Sequence, residues 1–339
     1  MPEQHFRLSS GIDITPLWHC YKLISKEKAC KEGLSLVLDL QQSLSLSHIM
    51  LLVPQSNDKD MVDLFGADTL SSIYREIRDA YIDHGIELEA SLAKNIKKTI
   101  RNLRDGNISR VKAVVELAIL MENTGNEDAQ IVQAIMNCVM KLPQTNTSSK
   151  IGEMELITNY LDPILSPMFH QPDHGRLFKW LNLKSKELSK ADVNSRPDGA
   201  MTLNEQLNGV FALGFCEIKS MDAINRHNLT HTDTFRLAMF TKNAIDDNKT
   251  KCTLAVQSVG AHVTFFLCAL QSEGLYPFVK LGKITIPTCI GQLIDFTAHL
   301  DTLGQEGSSR LRKPSLTQLQ ISDMLSEYQA GQPPSILYM

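Results

Sequence analysis

The chain has no CxxC pair. Its seven cysteines (Cys20, Cys30, Cys138, Cys216, Cys252, Cys268 and Cys289) are scattered and odd in number. That speaks against a zinc ribbon or a disulfide frame and predicts buried thiols in a reducing compartment. A basic excess is also missing: the formal net charge of −4 argues against a general nucleic-acid-binding coat while leaving room for a local basic surface. No apolar run approaches the ~20 residues of a membrane-spanning helix; VTFFLCAL, residues 263–270, is among the longest. The opening MPEQHFRLSS does not read as a secretory signal, so the expected location is intracellular, nuclear or cytoplasmic. There is no phosphate-cradling glycine loop, no GxSxG and no Cys/His nucleophile pair. His227 and His231 have zinc-helix spacing but lack the Glu of HExxH, and Pro172 stands between His170 and His174. These histidines read as loop or helix-cap residues.

What the chain does have is core-forming material. Hydrophobic residues make up 43% and charged residues 21% of 339, which suits a folded protein with room for two domains. Up to about residue 142, apolar residues recur at three- and four-residue steps, as in VKAVVELAILMENTG and EDAQIVQAIMNCVMKL, and predict helices. LPQTNTSSKIG, residues 142–152, is polar and turn-rich and marks a boundary. Beyond it, residues 153–168 predict a helix interrupted by Pro163 and Pro167. RPDGAMTL and VFALGFCEIK, joined by NEQLNG, have the layout of a hairpin. HTDTFRLAMFTKNAIDDN predicts a helix, with Phe235, Leu237, Ala238, Met239 and Ile245 on its apolar face. Three segments rich in β-branched and aromatic residues follow (CTLAVQSVGA, HVTFFLCAL, LYPFVKLGKITIP), and TCIGQLIDFTAHLDTL predicts a closing helix. The expected organisation is an all-helical domain over 1–145, an α/β domain with a mixed sheet flanked by helices over 146–304, and a polar tail over 305–339.

The hairpin's second arm raises the chemical question. Strand alternation predicts that Glu217 and Lys219 share a face with Phe211, Leu213 and Phe215. Buried charges are costly unless paired or hydrated. Pairing of the two arms would bring Asp198, at the start of the first arm, beside Glu217. Two carboxylates suit a hard divalent cation such as Mg²⁺ or Mn²⁺. Such a cation activates water and stabilises charge on a phosphate, and a nearby lysine orients that water or neutralises the transition state. The chemistry is phosphodiester hydrolysis. The plainer reading is a salt bridge of Glu217 or Asp198 with Lys219 or Arg196 at the rim of an inert sheet.

Pro197-Asp198 followed by Glu217-Ile218-Lys219 resembles the signature of the PD-(D/E)XK nuclease superfamily. The wording YLDPIL, SRPDG, GFCEIKS, RLAMFTKNAIDD and VGAHVTFFL is similar to a fungal group of nuclease-like proteins. The resemblance covers roughly residues 150–303. It implies a restriction-endonuclease-like fold and a magnesium-dependent nuclease, a hydrolase acting on DNA more than RNA. In its terms Asp198 and Glu217 hold the metal, Lys219 positions the attacking water, and a first-helix glutamate assists, Glu153 being favoured over Glu155. Gln257 matches a polar residue on the next strand, but Ala261 stands where the RecB-like branch has tyrosine.

Lys94, Lys97, Lys98, Arg101 and Arg104 recur at helical spacing opposite Leu92, Ile96, Ile100 and Leu103. They read either as a phosphate-contacting helix or as a solvated helix face. Arg236 and Lys242, on the helix after the ExK, are further candidates for nucleic-acid contact. The expected partner is nucleic acid, with a homodimer allowed. The competing reading is a nuclease fold without turnover that binds nucleic acid or protein; a third is a helical scaffold with an inert α/β partner.

Overall fold

The computed structural model describes residues 5–82, 88–146, 150–181, 196–205, 209–224, 226–300 and 304. The tail from Gln305 and the side chain of His227 lie outside the described residues. The chain runs through α1 (Ile14–Lys31), α2 (Leu40–Ser45), β1 (Ile49–Leu52), α3 (Lys59–Phe65), α4 (Ala67–Tyr81), α5 (Ala90–Arg104), α6 (Arg110–Glu122) and α7 (Asn126–Lys141). Then come α8 (Glu153–Glu155), a π-helical turn (Leu156–Leu161), α9 (Asp162–Phe169), β2 (Arg176–Trp180), β3 (Gly199–Glu205) and β4 (Gly209–Lys219). The last elements are α10 (His227–Asn248), β5 (Cys252–Val259), β6 (His262–Ala269), β7 (Tyr276–Thr285) and α11 (Ile290–Phe296).

The strands form one seven-stranded mixed sheet in the order β1-β7-β6-β5-β4-β3-β2. The pairs β1/β7 and β4/β5 are parallel and the others antiparallel. A parallel pair needs a crossover, and α10 supplies the one between β4 and β5.

Both faces of the sheet are covered by helices. Cys216, Ile218, Leu254 and Val256 point into a core shared with Leu92, Ile96 and Ile100 of α5, Leu117 of α6, Ile135 of α7, Leu165 of α9 and Leu293 of α11. On the other face Phe215, Ala255, Phe266 and Phe278 meet Leu44 of α2 and Leu237, Ala238, Phe240 and Ile245 of α10. The Phe215 and Phe240 rings lie 5.6 Å apart and fix α10 over β4; burying each is worth roughly 2–3 kcal/mol. A third cluster joins Trp18, Tyr21, Met61 and Ile73 to Met50 of β1 and Val279 of β7.

Several expectations change here. The N-terminal segment read as all helical contains β1, which joins the main sheet, and α5–α7 share their core with β4 and β5. Helical periodicity marked the helices correctly, but the four apolar residues IMLL are too few to declare a strand. Pro163 and Pro167 do not interrupt the helix: Glu153 to Phe169 is a continuous helical path. Its π turn widens the coil just before Pro163, where an α-helical hydrogen bond would fail. Leu213 does not share a face with Glu217. Met201 pairs with Gly214 and Thr202 with Ala212, so Leu213 is an extra residue on β4. This β-bulge exchanges the faces, sending Leu213 toward Cys216 and Ile218 and Ala212 toward Phe215. Cys20 and Cys30 are exposed, not buried. No described helix is long and apolar enough to cross a membrane.

Candidate active site

The site begins where the β3/β4 ladder ends. Pro197 precedes Asp198 and has no N–H to offer, so regular pairing stops there. The Asp198 N–H still donates to the Cys216 carbonyl at 2.9 Å. Beyond that point the Asp198 side chain takes over, its Oδ2 accepting the Ile218 N–H at 2.7 Å. Asp198 is thereby held against the strand that carries Glu217, as the pairing of the arms predicts.

Glu217 projects on the α10 side with Phe215 and is only 1% exposed. In the parallel β4/β5 register it lies beside Gln257. Arg236 of α10 faces it: Nη1 donates to Oε2 at 3.3 Å, and Nη2 lies 3.1 Å from Oε1. This second contact is an ion pair only, and the buried Oε1 accepts no hydrogen bond. Burial first, and then the negative charge of Asp198, push the Glu217 carboxyl up to about 8, with Arg236 opposing.

Lys219 stands at the exit of β4. Its Nζ donates to the Ile218 carbonyl at 3.1 Å and lies 3.6 Å from Oδ2 of Asp233. Asp233, 3% exposed on α10, is the member of the site that sequence reasoning missed. Its Oδ1 is 3.5 Å from Arg236 Nη1, and its Oδ2 accepts no hydrogen bond. Burial raises its pKa against the pull of Lys219 and Arg236. One signal was available: Asp233 and Arg236 sit three apart, next to Leu237 and Phe240, on the face that α10 buries. Charges on a buried helix face call for partners across the interface.

The remaining candidates divide. Gln257 is buried behind Glu217, its Nε2 donating to the Thr230 carbonyl at 2.8 Å and its Oε1 accepting from Thr234 at 3.3 Å. It ties β5 to α10. Arg236 belongs to the charged cluster. Lys242 does not: its Nζ pairs with Asp246 at 2.6 Å and lies 4.9 Å from the centre of the Tyr276 ring. Glu153 is exposed at the head of α8, which leads into Leu156 and Leu161 of the core on the opposite face. It is not gathered with the other two carboxylates: among the described residues no group of three or more His, Cys, Asp or Glu side chains is arranged to hold a metal ion. Lys94, Lys98, Arg101 and Arg104 are exposed and Lys97 half-buried on α5, whose inner face packs on the same opposite side. The sheet separates that basic helix from Glu217. Of the histidines, His231 Nδ1 lies 3.0 Å from the Val37 carbonyl, and His170 Nδ1 accepts the Phe178 N–H at 3.2 Å.

The assembled site holds three carboxylates (Asp198, Glu217, Asp233) against two cations (Lys219, Arg236). Burial and the crowding of acids raise the pKa values of Glu217 and Asp233, and a further cation would favour their ionised forms. Comparisons with protein-family models, with curated proteins and with solved structures return no match for this chain.

Proposed function

We propose that this chain is a PD-(D/E)XK-type nuclease that hydrolyses phosphodiester bonds of nucleic acid, DNA in preference to RNA, on a restriction-endonuclease-like core. The order of α8–α9, the β2-β3-β4 meander, α10 and β5 supports that core. The observation that carries the activity is the buried carboxylate of Glu217, whose Oε1 accepts no hydrogen bond, beside Asp198. Two oxygen ligands of this kind fit Mg²⁺ or Mn²⁺, whose remaining positions water fills. Asp198 and Glu217 would hold the ion; Glu153 does not fit that role.

When bound, the ion supplies a water of lowered pKa and positive charge toward the phosphate. The chain's own groups do the rest. Asp198 and Glu217 are oriented by the sheet and need no rearrangement of backbone. Lys219, about one-fifth exposed, holds an ammonium at the mouth of the site. There it donates to a phosphate oxygen or to the attacking water. Gln257 keeps α10 seated so that the wall behind Glu217 stays dry.

A cleavage assay on single- and double-stranded DNA and RNA with Mg²⁺ or Mn²⁺ tests the proposal. Wild type should cleave only with the ion. Asp198→Ala and Lys219→Ala should each lose at least about 100-fold, whereas Glu153→Ala should stay near wild type. Cleavage that survives either of the first two changes overturns the assignment.

One observation favours a second reading, a nuclease-fold module that binds nucleic acid or protein without turnover. Glu217 already has Arg236 as a counter-ion, and Asp198 already caps the Ile218 N–H. On that reading the cluster joins α10 to the sheet, and nucleic-acid or protein binding proceeds without the ion and without cleavage.

A further inference from the structure

Arg236 lies between two buried carboxylates. Nη2 is 3.1 Å from Glu217 Oε1, Nη1 is 3.5 Å from Asp233 Oδ1, and Nη2 also donates to the Arg196 carbonyl at 2.6 Å. Glu217 Oε1 and Asp233 Oδ2 are both buried without a hydrogen bond. The guanidinium is therefore placed as counter-ion to both carboxylates. A divalent cation arriving at Glu217 therefore meets a resident positive charge at ion-pair distance, and the two repel in a setting of low dielectric. For both charges to be accommodated, the guanidinium needs another carboxylate within reach. Asp233 is that carboxylate, one helical turn away on the same helix.

We propose that Arg236 is an exchangeable counter-ion of the metal site: it neutralises Glu217 when no metal is bound and is handed to Asp233 when Glu217 takes a divalent cation. This rests on the nuclease reading of the site and adds its regulation. Arg236 and Asp233 are positioning residues here, since neither is placed on the reacting phosphate. The hand-over sets the metal affinity low and makes it depend on Asp233, which is not itself a ligand. Because Asp233 also lies 3.6 Å from Lys219 Nζ, the arriving guanidinium competes with the ammonium for that carboxylate. Metal binding thereby loosens the hold of Asp233 on Lys219, whose ammonium already stands at the mouth of the site.

Direct Mn²⁺ titration of the full chain, read by electron paramagnetic resonance of the free ion, tests this without relying on turnover. Arg236→Gln should bind Mn²⁺ at least about tenfold more tightly than wild type, because a resident charge is removed. Asp233→Asn should bind at least about fivefold more weakly in the wild-type background and within about twofold when Arg236→Gln is already present. Arg236→Lys, which keeps the charge and perturbs packing less, should stay close to wild type. Unchanged or weaker binding in Arg236→Gln overturns the hand-over, as does equal tightening in Arg236→Lys. If neither wild type nor Arg236→Gln binds Mn²⁺, or if binding is indifferent to Asp198→Asn, the metal site itself fails and the hand-over with it.

Discussion

Glu217 is the residue in which stability and the proposed activity oppose each other. Burial and then the negative charge of Asp198 push its carboxyl up to about 8 from an ordinary 4.5. An acid whose pKa is raised by folding costs nothing below the unfolded value, where both states are protonated. The cost grows as pH climbs from 4.5 and is complete above about 8. Glu217→Gln should therefore raise the melting temperature, by roughly 5 °C at pH 8 and by almost nothing at pH 4, while abolishing the proposed metal binding. Thermal scans across that range check it; an equal shift at both ends would show that packing, not ionisation, is responsible. Asp198, Glu217 and Lys219 were legible from sequence because strand alternation and a short hairpin bring them to one place. Asp233 and the pairing of Arg236 were not, because they depend on how α10 is rotated over the sheet. Residue spacing alone does not give that rotation.

At the scale of elements, the strands that could be read were the β3/β4 hairpin, marked by its turn residues, and those long enough to show β-branched and aromatic enrichment: β5, β6 and β7. β1 has four residues, and β2 is an edge strand of five inside a stretch rich in turn formers. The bulge at Leu213 left no mark in the sequence either, since Leu is ordinary on either face of a buried strand. The turn after β5 is equally specific to the fold. Gly260 has φ +58°, its N–H donates to the Lys219 carbonyl at 2.8 Å, and a Cβ placed there would lie 2.1 Å from the Met221 sulfur. Gly260→Ala should cost about 2 kcal/mol or more through left-handed strain and displacement of Met221. Because the same turn anchors the end of β4, it should also impair the proposed cleavage by moving Lys219. Chemical denaturation with a parallel cleavage assay checks both; a stable variant with a misplaced Lys219 would keep the first near wild type and lower only the second.

For the whole molecule, the boundary visible near residues 142–152 is a change of composition that does not separate the sheet from the helices before it. β1 lies on one side of that boundary and its partner β7 on the other, with Ile49 opposite Tyr276. That pairing spans more than two hundred positions, so its cost in chain entropy falls late in folding. During synthesis the first strand leaves the ribosome long before the segment that covers its edge exists. Nascent chains arrested with about 270 residues exposed should leave Met50–Leu52 open to proteolysis, whereas completed chains should protect it. Early protection of that segment would mean another partner shields it first. An N-terminal strand that must wait for a C-terminal one ties the assembly of the sheet to nearly complete translation, so a prematurely terminated chain carries an unpaired apolar edge rather than a smaller finished fold.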